Sequence, residues 1–200
     1  IIMFILGYTQ IFSAIFIATF FVFILCKISK SPFIKTNDPK LGKKFMVAFF
    51  NSMIMASILN YGLMYEYIKY KNYCPFTINR FGIFSLHSIM IEVIYYYWHM
   101  AMHRISFLKP IHNFHHKITP PMAFIDAFYL HWLDFTSFVV ILFSPFFVGL
   151  ELTQTEHLVF LSLEAVLLMM EHTENWCKTH AKHHTPGMTN GFFALTGLFD

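Results

Sequence analysis

Three runs of histidine carry the chemistry of this chain: WHMAMHR supplies His99 and His103, HNFHH supplies His112, His115 and His116, and HAKHH supplies His180, His183 and His184. Imidazole is the commonest side-chain ligand for transition metals. On a helix, residues four apart lie about 40° apart in azimuth and roughly 6 Å apart along the axis, so His99 and His103 can face one centre. The two HxxHH runs repeat this arrangement at i, i+3 and i+4. Eight such side chains exceed what one tetrahedral or octahedral ion can use, which implies two ions sharing the set. Structural zinc sites saturate at four ligands, so the surplus favours catalytic iron. The three cysteines, Cys26, Cys74 and Cys177, lie far apart without a CxxC pair, so the coordination is nitrogen based.

Further residues gather around these runs. His131 and His172 are expected to join the ligand set. Glu92 stands seven residues before His99, on nearly the same helical face, and reads as a proton relay or a partner of the ligands. Asp134 is three residues beyond His131 and suits the role of carboxylate behind that ring, since ligating imidazoles donate their second nitrogen to a carboxylate or carbonyl. His87 and His157 read as packing histidines, Glu164 as a carboxylate facing the interior, and Glu171 and Glu174 as flanks of His172.

The elements that must position these groups are read from hydropathy. The 200 residues are 56% hydrophobic, 20% aromatic and only 12% charged, with a mean hydropathy of +0.54. This composition predicts an all-α integral membrane helical bundle of four to five spans. The candidate spans run from Ile1 to Cys26, Phe45 to Ile68, Phe81 to Met102, Leu130 to Leu150 and Glu156 to Met170, the first being a retained anchor rather than a signal peptide. Residues 1–80 form N-terminal transmembrane anchor helices and 81–200 the catalytic region, within one structural domain. The loop from Lys27 to Lys44 holds six lysines against Asp38, which places it in the cytosol. Alternation then brings every histidine run to the cytosolic face. Eleven of the fourteen basic residues fall on that side and three (Lys69, Lys71, Arg80) on the other. The net charge of +3 forms no basic stripe, so nucleic acid is not an expected partner. Pro120 and Pro121 stop any helix begun at Lys109, and Pro145 kinks or ends the fourth span.

The stretch EVIYYYWHMAMHRISFLKPIHNFHHKITPPMAF resembles the signature of the fatty acid hydroxylase and sterol desaturase superfamily, with its HxxxH box, short spacer, HxxHH box and trailing T-x-P. YLHWLD, EHTE and HAKHH followed by TNGFFALTGLFD are similar to its later elements, and the likeness covers about Glu92 to Asp200. The resemblance implies a membrane-bound non-haem di-iron oxygenase that hydroxylates or desaturates a sterol or fatty acyl/sphingolipid substrate. It implies dioxygen and NAD(P)H-derived electrons, passed through cytochrome b5 or its reductase, and a place in the endoplasmic reticulum. Its iron ligands would be His99, His103, His112, His115, His116, His180, His183 and His184, with His131 and His172 added. Zinc can replace iron on purification. Asp134, where many members carry Glu, leans toward the sterol desaturase-like members.

Two other readings compete. Acyl-lipid desaturases also use three histidine boxes, but their first two are separated by a longer stretch than the eight residues between His103 and His112. The other is a non-catalytic metal-binding or metal-transporting membrane protein, of which transport predicts ligands along a path near mid-membrane, whereas these runs gather at one face.

Overall fold

The computed structural model describes residues 13, 16–17, 19–28, 30, 34–35, 37–58, 78–150, 152–173, 176–186 and 194. Glu174 lies outside them, as do most of the first candidate span and the end of the second. Among the described residues the structure is helical, without strands. Six α-helices follow a helical stretch at 19–28: α1 (Leu41–Ile58), α2 (Ile78–Arg104), α3 (Lys109–His112), α4 (Trp132–Phe143), α5 (Gln154–Glu171) and α6 (Lys178–His183). Single 3₁₀ turns lie at His115–Lys117, Phe124–Phe128 and Ser144–Val148.

Local chemistry sets the boundaries. Pro110 sits in the first turn of α3, where its missing N–H costs nothing. Pro145 follows the end of α4 and turns the chain into a 3₁₀ segment closed by Gly149 at φ 80°, a left-handed position that glycine adopts without strain. Thr153 and Glu156 cap α5 reciprocally: the Thr153 N–H donates to Glu156 Oε2 at 2.7 Å and the Glu156 N–H to Thr153 Oγ1 at 3.3 Å. Arg80 at the start of α2 closes an ion pair on the same carboxylate.

The main core lies between α2, α4 and α5, where Ile91, Phe138, Val139, Leu142, Phe160 and Met169 pack together, joined by Val22 and Cys26 from the 19–28 stretch. A smaller cluster of Ile118, Met122, Tyr129 and Ala181 lies under the segment after the second histidine run. Helix α1 is inverted in polarity. It buries Lys44 and Asn51, while Phe45, Met46, Phe49 and Phe50 face outward.

The expectation of an integral membrane bundle of four to five spans is not met: no helix among the described residues is long and apolar enough to cross a membrane. The placement in the endoplasmic reticulum membrane, with a cytosolic-face site, falls with it. The reasons lie in the helices themselves. The stretch from Leu130 to Leu150 yields only the 12-residue α4 before the turn at Pro145, about 18 Å at 1.5 Å per residue. Helix α5 has the length but carries Glu156, Glu164, Glu171 and His157. Helix α2 is long enough, yet Arg80, His87 and Glu92 interrupt its apolar run. Helix α1 opens on Lys43 and Lys44 and holds Asn51 at its middle.

Candidate metal centre

Nine of the ten histidines expected as ligands converge, and they do so in two groups. His99, His103, His112, His116 and His183 form one, His115, His172, His180 and His184 the other, with potential ligand atoms in each group within 4.8 Å of one another. Helix geometry explains the division. The i, i+4 pairs His99/His103, His112/His116 and His180/His184 each stay with one nest, whereas the i+3 member of each HxxHH run, His115 or His183, turns to the other. Each HxxHH run therefore serves both nests. They adjoin at a seam where the His116 and His184 rings stack, with centroids 4.5 Å apart and planes 20° apart.

Hydrogen bonds at Nδ1 fix which nitrogen faces inward. The Nδ1–H of His115 donates to Tyr129 O at 3.2 Å, that of His184 to Ile118 O at 3.1 Å and that of His172 to Leu168 O at 2.8 Å. A carbonyl can only accept, so each Nδ1 bears the proton and each Nε2 of the neutral ring presents a lone pair. Two of those lone pairs face each other, on His172 Nε2 and His115 Nε2 at 3.1 Å, and His180 Nε2 lies 3.1 Å from both His172 Nε2 and His184 Nε2. In the five-histidine nest the Nε2 atoms lie equally close, with separations of 2.9 Å for His99 and His112, 3.0 Å for His103 and His183, and 3.1 Å for His112 and His116. Here Asp134 Oδ2 accepts from His112 Nδ1 at 2.8 Å.

Facing lone pairs at this distance repel unless a cation lies among them. Protonation to imidazolium does not relieve this at neutral pH. Burial, and after it the neighbouring imidazoles, hold His99, His115 and His180 well below the usual imidazole range. Burial pushes His103 down to about 3 and His172 down to about 4. The separations suit a metal ion: with metal–nitrogen bonds of about 2.1 Å, adjacent nitrogens of an octahedron lie about 3.0 Å apart. The histidine groups can hold a metal ion.

Other expected residues are placed differently. His131 joins neither nest. It stands at the N-cap of α4 with extended backbone angles, its Nδ1 accepting from the Leu133 N–H at 3.3 Å, and its ring lies 5.9 Å from those of Phe114 and Trp132. Asp134, expected behind His131, backs His112 instead, because it lies inside the helix while His131 stands before it. Glu92 is buried two turns below His99 and belongs to neither nest. His87 and His157 are core residues as expected, both packed on Phe146. Sequence reasoning missed the carbonyls of Ile118, Tyr129 and Leu168, for which no side-chain pattern exists.

An apolar groove of about 500 Å³ opens beside the five-histidine nest, its wall including Trp98, Met102, Ile111, Leu133 and Ile141. Met102 and Ile111 directly precede His103 and His112, and Leu133 precedes Asp134, so the groove lies on the same helices as the nest, although none of the nine histidines lines it.

Comparison of the chain with protein-family models, with curated proteins and with solved structures yields no match. What the chain itself defines is a helical protein with two adjoining, nitrogen-only candidate metal nests.

Proposed function

We propose that this protein is a non-haem di-iron oxygenase of the fatty acid hydroxylase and sterol desaturase type, which hydroxylates or desaturates an aliphatic position of a lipid. The observation that carries the reading is the convergence of ring nitrogens in two adjoining nests, nine imidazoles with no thiolate among them. Nine neutral ligands are more than a structural zinc site uses, and two neighbouring centres suit a reaction that moves more than one electron. The net reaction for hydroxylation is R–H + O₂ + 2 e⁻ + 2 H⁺ → R–OH + H₂O. Electrons come from NAD(P)H through a donor protein such as cytochrome b5. Two iron ions, when bound, supply the activation of dioxygen.

The chain's own residues divide the remaining work. The nine histidines bind and space the ions. Asp134 orients His112 and raises its basicity as a ligand. The apolar groove walled by Trp98, Met102 and Ile111, on the helices that carry His99, His103 and His112, is suited to an alkyl chain. Tyr95, whose ring lies 5.4 Å from that of His99, keeps its hydroxyl proton: burial first, then the charges of Glu171, Asp134 and Glu92, raise it well above the usual phenol range.

The test is metal analysis of anaerobically prepared protein, paired with lipid profiling of a host that expresses it. Two irons per chain and a new hydroxylated or unsaturated lipid are expected, and His183→Ala should abolish the product while the helical content is kept. Unchanged product formation in that variant would falsify the assignment.

A further inference from the structure

The two nests share their HxxHH runs but differ in the groups that orient their rings. The five-histidine nest takes its ligands from α2, α6 and the second histidine run, with Asp134 of α4 behind His112. The four-histidine nest depends on the segment 118–130, because the carbonyls of Ile118 and Tyr129 orient His184 and His115. That segment contains no regular helix beyond the single turn at Phe124–Phe128, so its position must be set from outside. Helix α1 and the residues before it do this. Lys44 Nζ donates to Asp126 Oδ1, and Asp126 Oδ2 accepts from the Ala123 N–H at 2.8 Å. Asn51 Nδ2 donates to Leu130 O at 3.0 Å and lies 3.4 Å from Phe128 O, and Lys35 Nζ donates to Pro121 O. Lys44 and Asp126 are both buried, and Asp38 completes the surroundings of the ammonium.

We propose that the buried Lys44–Asp126 ion pair is a positioning latch: it fixes the segment whose Ile118 and Tyr129 carbonyls orient His184 and His115, and so sets metal affinity in the four-histidine nest alone. The inference rests on the reading of the two nests as metal sites.

Two simpler roles make different predictions. If Lys44 acted only through its charge, its removal would leave Asp126 more negative near His172 and strengthen cation binding there. If it acted only on global stability, both nests would weaken together. A latch weakens one nest and spares the other.

The experiment titrates cobalt(II) into the metal-free full chain against a competing chelator, following the ligand-field absorption of each site. His183→Ala and His172→Ala identify the signals of the five- and four-histidine nests. In Lys44→Met the affinity of the four-histidine nest should fall on the order of 10–100-fold, as for loss of other groups that orient ligands, with the other nest changed by less than about twofold. Lys44→Arg should restore it. Asn51→Ala, which frees the Leu130 carbonyl without stranding a charge, should give a smaller loss in the same nest, and it decides the matter if Lys44→Met does not fold. Unchanged affinities, a tighter four-histidine nest, or an equal fall in both with helicity intact overturns the latch. A wild-type chain that binds no cobalt overturns the metal reading itself, and the latch with it.

Discussion

At the scale of single residues, the division of labour among histidines follows from what each second nitrogen touches. His115, His172 and His184 use a backbone carbonyl, whereas His112 uses the Asp134 carboxylate. A carboxylate makes the imidazole the stronger donor, so Asp134→Asn should lower affinity in the five-histidine nest by about 10–100-fold. Chelator competition on the purified chain measures this, and an affinity equal to wild type would mean that Asp134 is only a buried polar tie. His131→Ala should leave metal stoichiometry untouched, since its ring caps α4 and joins neither nest. The same residues show how far the sequence could be read. The i, i+4 pairs were legible, because helix periodicity alone puts both rings on one face. The nest each residue serves was not legible: His115 and His183 cross to the other centre, and only tertiary packing decides that. His131 was misread because a histidine at an N-cap looks, in sequence, like one a residue inside the helix.

At the scale of the element, α5 combines two carboxylates with opposite responses to pH. Glu156 is held below the usual carboxylate range, chiefly by Arg80. Its contribution is therefore present above about pH 4.5, the ordinary value, and is lost as pH falls through the lowered one. Glu164 is buried, and burial, with the charge of Glu92 behind it, pushes its carboxyl up to about 8. Between the ordinary value of 4.5 and about 8 the unfolded chain releases this proton while the folded chain keeps it, so stability falls as pH rises through that window. Glu164→Gln should flatten that decline, read as denaturant midpoints at about pH 5 and about pH 8. A decline as steep as in the wild type would place its origin elsewhere. At the start of the helix, Thr153→Ala removes half of the capping box and should cost about 1 kcal/mol in a denaturant titration. Helix boundaries were partly legible: the stop at Pro145 could be read from the residue itself, since proline cannot continue a helix. The polarity of α1 could not, because its buried face carries Lys44 and Asn51, and their partners Asp126 and Leu130 lie about eighty residues away in sequence.

At the scale of the whole molecule, apolar side chains are found in two places at once. Some fill the core between α2, α4 and α5, and others stand outward, among them Phe45, Met46, Phe49 and Phe50 on α1 and Phe81, Leu86, Ile89 and Val93 on α2. This is why composition misled about spans: mean hydropathy counts apolar residues without asking whether a continuous helix carries them. Contiguous exposed apolar surface binds environment-sensitive dyes, so the folded chain should raise the fluorescence of such a dye without any denaturant. Charged substitutions at Phe49 and Phe50 should reduce that signal. Metal adds a second global effect. The nests draw ligands from stretches between residues 99 and 184, which the unfolded chain does not hold together. An ion at a hundred times its dissociation constant should therefore stabilise the fold by about 2.7 kcal/mol, visible as a raised Tm that a chelator reverses.

The stacked seam between His116 and His184 makes the two centres neighbours in a mechanical sense. An ion entering either side fixes one face of that stack, so loading one nest alone should already shift the ring-proton resonances of both His116 and His184, while the affinity of the other nest stays its own.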